Sequence, residues 1–207
     1  MLDDTRAAVD TLNIMLERRG GRPVAMDFYR DHFAFPVRPF YEAIGVCLEN
    51  EDWDSLAREY HDVYAEQPVR LNAEAVVALE RVKSSGARQS IISALRQDLL
   101  EEITARLGVA KYMDWICGVD NLDGLGKIDR AREMLIEIQK SSPISLRPGS
   151  FVLIGDSLHD KEVADALGAR CVLCGQGSHA TWRLAKVAPV AETLPEAVRM
   201  ALDVSDA

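Results

Sequence analysis

The first third of the chain has the hydrophobic pattern of amphipathic helices. In AAVDTLNIMLERRG, residues 7–20, apolar residues recur every three or four positions and a glycine pair follows. SLAREYHDVYAEQ, residues 55–67, repeats this spacing. Runs typical of strands are scarce before about residue 77. We therefore predict a helical cap over residues 8–71.

After Asn72, helical and strand-like segments alternate. The helical patterns are AEAVVALERVKSSG, QDLLEEITARLG, KIDRAREMLIEIQKS and KEVADALG. The strand-like runs are RQSIISA, WICGVD, SFVLIGDS and RCVLCG. This order predicts an α/β fold: a parallel, Rossmann-like sheet with helices on both faces, formed by residues 72–207 together with residues 1–7.

Composition and charge narrow the classes of partner. The 207 residues are 48% hydrophobic and 28% charged, which is ordinary for a globular protein. The 33 Asp and Glu outnumber the 24 Lys and Arg, and the formal charge of -9 argues against general nucleic-acid binding. No apolar run approaches the roughly 18 residues that a membrane-spanning helix needs. A small phosphorylated metabolite remains compatible with this charge.

The cysteines and the N-terminus indicate a cytoplasmic protein. The four cysteines lie in apolar surroundings, and MLDDTRAAVD has neither the basic region nor the apolar run of a secretory signal. Cys171 and Cys174 have the spacing of half a zinc site. No second Cys/His pair accompanies them, so this run is better interpreted as a buried strand.

Two carboxylates follow the strand-like run FVLIG. Asp156 comes directly after it and Asp160 four residues later, so both are expected at the carboxyl end of a strand, where open α/β sheets bind ligands. Two acids there can hold a hard divalent cation. In the simpler interpretation Asp156 caps the next helix and Asp160 is a solvated first-turn acid, which explains one carboxylate but not the pair.

The letters GDSL, residues 155–158, also match a serine esterase family. That family has its serine near the N-terminus and a later Asp-x-x-His. Here Gln176 stands three residues before His179, so the triad lacks its acid. The esterase interpretation is therefore disfavoured.

Two further segments carry groups suited to phosphate. Ser93 ends an apolar strand and Ala94 follows, where a hydroxyl and backbone N–H groups can hold a phosphate, although a lone Ser there is usually a helix cap. Lys127 follows the glycine-flanked run 124–126 at a helix start, where its charge can neutralise phosphate, although a single Lys is usually solvated. The run is not a P-loop, since Ile128 follows the lysine.

Together, Ser93, Lys127 and Gly-Asp-x-x-x-Asp resemble the motifs of the haloacid dehalogenase superfamily. Residues 89–194 are most similar to its phosphoglycolate-phosphatase-like branch, and FAFPVRPFYEAIG resembles that branch's helical cap. The resemblance implies a Mg²⁺-dependent hydrolase in which Ser93, Ala94 and Lys127 bind the phosphoryl group. It also implies that Asp156 ligates Mg²⁺. Asp160 is then a catalytic group that orients Lys127, or a group that assists in binding the metal.

One motif of that family has no counterpart here. Its relatives carry Asp-x-Asp-x-Thr at the end of the central strand, the first Asp being the nucleophile of an aspartyl-phosphate mechanism. Residues 1–4 match instead the short stretch that follows this motif, with Gly20 closing the next helix on schedule. We therefore expect the nucleophile, and the central strand of the sheet, to lie upstream of Met1.

Three interpretations of activity stay open. With an upstream Asp-x-Asp strand, the protein is a small-molecule phosphatase. Without one, the chain is a catalytically inactive relative that binds a phosphorylated ligand or a protein partner. A true dehalogenase is disfavoured, because paired metal-binding acids suit phosphoryl transfer.

Overall fold

The computed structural model describes residues 1–121, 126–141, 147 and 149–203. Ten α-helices lie in this part of the chain: α1 (Thr5–Arg18), α2 (Met26–His32), α3 (Arg38–Ala43), α4 (Trp53–Ala65), α5 (Ala75–Ser84), α6 (Gln97–Arg106), α7 (Lys127–Ser141), α8 (Leu158–Leu167), α9 (Thr181–Leu184) and α10 (Leu194–Leu202). Its strands are β1 (Leu2–Asp3), β2 (Arg70–Leu71), β3 (Ser90–Arg96), β4 (Trp115–Val119), β5 (Val152–Gly155), β6 (Arg170–Cys174) and β7 (Val190–Ala191). The predicted α/β class with parallel strands is confirmed.

Helices α1 to α4, which we call the helical segment, pack around an apolar cluster of their own. Its most buried members include Val9, Met15, Leu16, Leu56 and Tyr64, each at most 2% exposed. Burying side chains of this size stabilises a fold by about 1.5–3 kcal/mol each. Leu99 and Ile103 of α6 join the same cluster, so the helical segment packs directly on the α/β part.

The helical segment begins and ends side by side. β1 and β2 form a two-residue antiparallel ladder in which Leu2 pairs with Leu71 and Asp3 with Arg70. The ladder continues into a hydrogen bond from the Asn72 N–H to the Met1 carbonyl, 3.0 Å long. The division of the chain at residues 71 and 72 into a cap and a core stays a prediction.

The remaining strands form two separate parallel sheets. One consists of β3 and β4, and the other has the order β5-β6-β7. β5 pairs along its whole length with β6, from Val152 beside Arg170 to Gly155 beside Leu173. In the first sheet regular pairing stops at Ile92, and the register shifts before Arg96 meets Val119.

The two parallel sheets share their helical covering although they do not pair with each other. α7 packs on β3 and β4 and also on α8, which covers β5 and β6, while α5 packs on α10, which covers β5, β6 and β7. Within the described residues β3 pairs only with β4, and β5 only with β6 among the parallel strands. All of β5 and most of β3 are only partly buried despite their apolar sequence. We call the region at the unpaired edges of β3 and β5 the strand gap.

The strand gap agrees with the expectation that the sheet lacks its central strand. Residues 1–8 do not fill it, because Leu2 and Asp3 pair with β2 and α1 begins at Thr5. Met1 packs against a buried cluster that includes Ala75 and Ala78 of α5, and Ile154 of β5 packs against the same cluster.

The predicted helices and strands agree with the observed ones to within a few residues, with one informative difference. RQSIISA was expected to end near Ala94, whereas β3 continues through a bulge to Arg96. The bulge approaches β4 closely: a Cβ on Gly118 would lie 2.6 Å from the Leu95 carbonyl oxygen. α2, α9, β7 and α10 were not predicted individually. In the described residues no helix is long and apolar enough to span a membrane.

Candidate active site

The site is built around a buried ion pair between α7 and α8. Lys127 is the first residue of α7, and its ammonium donates to Oδ1 of Asp160 over 2.5 Å. The side chains are only 9% and 8% exposed. Such a pair is stable only if the remaining polar atoms also have partners, and Asp160 meets this condition.

The second carboxylate oxygen of Asp160 accepts three hydrogen bonds. The donors are the N–H groups of Asp156 and Ser157, both at 3.0 Å, and the Ser157 hydroxyl at 2.8 Å. Ser157 is the N-cap of α8 and forms a capping box with Asp160. Burial alone would raise the pKa of Asp160, but the charge of Lys127 and these hydrogen bonds lower it to about 2. Asp160 is thus a carboxylate whose two oxygens both accept hydrogen bonds.

This arrangement requires a glycine at the end of β5. A Cβ on Gly155 would lie 2.3 Å from the Asp160 Cβ and 2.6 Å from its Oδ2. Only a residue without a side chain lets the strand end approach the first turn of α8 so closely. The sequence GD-x-x-x-D therefore has a steric reason for its glycine as well as for its acids.

Asp156 follows β5 directly and is held by a loop from the next strand. This loop, Gly175–Ala180, is called the Asp156 loop below. Its Ser178 N–H donates to Asp156 Oδ2 over 2.6 Å, and the His179 N–H donates to the Asp156 carbonyl over 3.2 Å. A Cβ on Gly177 would lie 2.0 Å from Asp156 Oδ2, so the loop touches the carboxylate.

His179 anchors the same loop to the start of α8. The ring is 1% exposed, and its Nδ1 accepts from the Leu158 N–H over 3.0 Å. Its Nε2 has no hydrogen-bond partner in the described part of the chain. Burial, helped by the nearby charge of Arg183, lowers the pKa of His179 to about 4, so the ring is neutral at pH 7.

Ser93 and Ala94 lie in the bulge of β3. The Ser93 hydroxyl oxygen accepts from the Leu95 N–H over 3.1 Å, and both residues are partly buried. Gln97, the first residue of α6, continues the contact with β4 by accepting from the Gly118 N–H and donating to the Ile116 carbonyl. The phosphate-binding role of Ser93 and Ala94 stays a prediction.

The structure brings some of the predicted site residues together. Lys127 and Asp160 are in direct contact, and Asp156 and Asp160 are joined through the Asp156 N–H. The Asp160 contacts favour its expected role of orienting Lys127 over that of a metal ligand, because both of its oxygens already have donors. Gly124 of the glycine-flanked run lies outside the described residues, whereas Gly126 has a φ of +83°.

We tested the fit of a magnesium ion on the carboxylates present. No group of three or more His, Cys, Asp or Glu suited to a metal occurs in the described ranges. Asp156 has Oδ2 bound by Ser178, and no hydrogen bond reaches its Oδ1 from these residues. Mg²⁺ in phosphoryl-transfer sites is held by one or two carboxylates, phosphate oxygens and waters. Asp156 thus fits as one ligand of a site that needs others.

A further acid near Asp156 escaped the sequence analysis. Asp4 accepts from the Tyr64 hydroxyl over 2.7 Å. Its pKa is raised, first by burial and also by the charge of Asp156, although the Tyr64 hydrogen bond opposes this.

The sequence analysis also missed the Asp156 loop. An isolated histidine such as His179 is usually a satisfied or solvent-facing side chain, so it gave no signal of a site. The one local signal was Gly175 at the end of the run RCVLCG with Gly177 two residues later. A second histidine, His159, lies between Asp156 and Asp160 in the sequence. Its Nδ1 is 2.8 Å from a Glu162 oxygen, and its ring contacts the ring of Phe35.

Comparisons with known proteins agree with this architecture. A family model described as haloacid dehalogenase-like hydrolase matches residues 1–174. No curated protein matches the chain. A predicted phosphatase from Clostridium acetobutylicum is similar in structure, with a TM-score of 0.80 and 15% identity over 99% of this chain and 94% of that one.

Other solved structures share the fold but not one activity. Protein Tyrosine Kinase A from Mycobacterium tuberculosis has a TM-score of 0.77 and 22% identity, covering 98% of this chain and 93% of its own. A predicted phosphoglycolate phosphatase from Haemophilus somnus has a TM-score of 0.72 and 12% identity, covering 97% and 92%. At these identities the likeness shows the fold, and the function has to be argued from the site.

Proposed function

The chain belongs to the haloacid dehalogenase-like hydrolase family, and on that premise we propose that it forms most of a Mg²⁺-dependent phosphatase for small phosphorylated metabolites. The proposal places it in the phosphoglycolate-phosphatase-like branch and in the cytoplasm. The observation that carries it is the buried Lys127–Asp160 pair beside Asp156, because a fixed cation and a strand-end carboxylate suit a phosphoryl group and its metal.

The proposal gives each of these residues a role. The Lys127 ammonium donates one of its three hydrogens to Asp160, and among the described residues no other acceptor takes the remaining two, which suit phosphoryl oxygens. Ser93 and the backbone N–H groups near Ala94 donate to the same phosphoryl group. Asp156 ligates Mg²⁺, which when bound neutralises charge on the phosphate. Asp160 holds Lys127 in position throughout.

A nucleophile is still needed, and the strand gap suggests where it sits. Asp160 cannot attack phosphorus while its two oxygens accept four hydrogen bonds, and Asp156 is assigned to the metal. We propose that a strand encoded upstream of Met1 pairs with β3 and β5 and presents an aspartate at its carboxyl end, where it forms the aspartyl-phosphate. Met1 and Ile154 of β5 pack against the same buried cluster, which supports this path.

The alternative is a catalytically inactive relative that binds a phosphorylated ligand or a protein partner. It is supported by one arrangement: among the described residues the buried Lys127 suits a bound anion, whereas both oxygens of Asp160 already accept hydrogen bonds and are not available for attack. In that case phosphate binds and no ester bond is broken.

The two candidates are separated by hydrolysis of p-nitrophenyl phosphate with and without Mg²⁺. We expect no turnover above a buffer blank from residues 1–207. If the gene encodes an upstream Asp-x-Asp strand, the extended protein should turn over only with Mg²⁺ and lose this activity on Asp156→Asn. An extended protein that binds inorganic phosphate without hydrolysing the ester would favour the inactive relative.

A control addresses the placement of the N-terminus. Asp3 is the exposed acid of β1. Robust Mg²⁺-dependent turnover by residues 1–207 that disappears on Asp3→Asn would assign the nucleophile to Asp3 and contradict the proposed upstream strand.

A further inference from the structure

The helical segment is bound directly to the loop that holds Asp156. The Arg30 Nε of α2 donates to the Gly177 carbonyl over 3.2 Å. In the reverse direction, the Ala180 N–H donates to the Arg30 carbonyl over 3.0 Å. The two contacts hold the Asp156 loop at Gly177, near its middle, and at Ala180, its last residue, and they join residues 147 and 150 positions apart in the sequence.

Two side chains from α9 extend this interface. Arg183 donates to the carbonyls of Arg30 and Phe33, both at 2.9 Å, and the Trp182 indole donates to Asp31 over 2.8 Å. These bonds take up the carbonyl groups at the end of α2, which no helical N–H satisfies. α2 therefore has a defined seat on the α/β part.

The other side of the Asp156 loop is fixed to the site. Ser178 donates to the Asp156 carboxylate and His179 accepts from the first N–H of α8. The loop is thus a short rigid link, only a few residues long, between α2 and the carboxylate. A shift of α2 that pulls on Gly177 must move the Ser178 N–H relative to Asp156 Oδ2.

We propose that Arg30 is a positioning residue that couples the seating of α2 to the orientation of the Asp156 carboxylate. With α2 seated, the loop holds Oδ2 and leaves Oδ1 turned to the site. With α2 displaced, the Ser178 hydrogen bond loosens and the carboxylate samples other rotamers. Cation binding then depends on the position of the helical segment. This inference rests on the proposed role of Asp156 as a Mg²⁺ ligand.

By thermodynamic linkage the coupling acts in both directions. If seating of α2 favours Mg²⁺ binding, Mg²⁺ must favour seating of α2 by the same factor. The cation would therefore draw the helical segment onto the site before the substrate reacts, which helps to exclude water.

The test uses residues 1–207 and three variants. Arg30→Met removes the donor to Gly177, Arg30→Lys keeps a charged donor, and Arg58→Met removes an exposed arginine of the same helical segment that contacts Ser55. Hydrogen exchange at the Ser178 amide is measured without metal. We expect exchange at least about 10-fold faster in Arg30→Met, partial recovery in Arg30→Lys and no change in Arg58→Met, with unchanged exchange in the slowest amides of β6.

Binding of Mg²⁺ alone is then measured by calorimetry. Arg30→Met should weaken the affinity of the wild-type chain about 3- to 10-fold, and saturating Mg²⁺ should slow exchange in α2 of the wild type but not of Asp156→Asn. Arg183→Met, which removes two bonds to α2, should reproduce the Arg30→Met result.

The outcomes separate this inference from the proposed function. Unchanged Ser178 exchange in both Arg30→Met and Arg183→Met would overturn the positioning role. Faster exchange at Ser178 in a chain that binds no Mg²⁺ would support the mechanical link and contradict the cation role of Asp156. If saturating Mg²⁺ slowed amide exchange in α2 equally in the wild type, Arg30→Met and Asp156→Asn, the coupling would be overturned.

Discussion

The Lys127 ammonium and the Asp160 carboxylate, 2.5 Å apart and both buried, fix the start of α7 to the first turn of α8. These helices cover different sheets, so this single ion pair spans the strand gap. The pair therefore has a structural role as well as a chemical one. Removing either partner is expected to affect stability and ligand binding together.

Lys127→Met should destabilise the chain strongly. The change leaves the Asp160 carboxylate buried without its cation, and loss of one partner of a buried pair typically costs about 3–5 kcal/mol. The free energy of unfolding from urea titration measures the effect. Lys127→Met combined with Asp160→Asn should recover part of the loss, because no uncompensated charge remains.

An exposed pair on the same helix provides the matched control. Lys140 donates to Glu137, and both side chains are more than 60% exposed. Lys140→Met should cost less than about 0.5 kcal/mol. Equal costs for Lys127→Met and Lys140→Met would mean that the buried pair is not formed in solution.

The stability of the chain should fall as the pH drops from 6.5 towards 4, in part because of His179. Burial lowers the pKa of His179 from 6.5 to about 4 in the folded chain, so below pH 6.5 the unfolded state takes up a proton that the folded state does not. The contribution of His179 to the free energy of unfolding is full above pH 6.5, and it declines by on the order of 3 kcal/mol as the pH falls to 4 and below. His179→Asn, which keeps a hydrogen-bond acceptor, should flatten this decline. If the free energies of unfolding of the wild type and of His179→Asn fell in parallel as the pH drops, this role of His179 would be contradicted.

Gly177→Ala should disrupt the Asp156 loop. The added methyl group would lie 2.0 Å from Asp156 Oδ2, so the loop or the carboxylate must move, at a cost of about 2–3 kcal/mol. Gly149→Ala is the control, because its Cβ meets nothing within 4 Å and only the φ of +81° is strained, which costs about 1 kcal/mol. Thermal unfolding with and without Mg²⁺ compares them. If Gly177→Ala unfolded at the same temperature as the wild type both with and without Mg²⁺, the loop would not touch Asp156.

The strand gap should be visible in hydrogen exchange. Amides of β3 and β5 that point away from β4 and β6 have no strand partner in the described residues and should exchange much faster than amides of β6. The partly buried apolar side chains there should also bind a hydrophobic dye. If the proposed upstream strand is added, both signals should fall. Slow exchange throughout β3 and β5 in residues 1–207 would mean that the gap is closed in solution.

Much of the fold could be predicted because its signals are local. The 3.6-residue periodicity located α1, α5, α6, α7 and α8 to within a few residues, and a closing glycine marked the end of each except α7. α10 carried a usable signal that was not used, since Thr193 caps it and Glu196 stands three residues later.

The contacts of the site were harder to predict because they are not local. GD-x-x-x-D indicated two acids at a strand end, but only the family resemblance, and not the spacing, indicated that Asp160 pairs with Lys127 across 33 residues. The link from Arg30 to Gly177 spans 147 residues between two segments without a shared motif. A single sequence without aligned relatives holds no signal for such a pair.

The two-residue ladder between β1 and β2 makes the helical segment exchangeable. Because Asp3 and Arg70 are paired neighbours, the chain leaves the α/β part and returns to it at one point. A tight turn from Asp3 to Arg70, or an unrelated helical unit with closely spaced ends, would leave the path of every later strand unchanged. Selectivity for different metabolites can then change by exchange of the helical segment, provided that the new unit again contacts Gly177 of the Asp156 loop, as Arg30 does here.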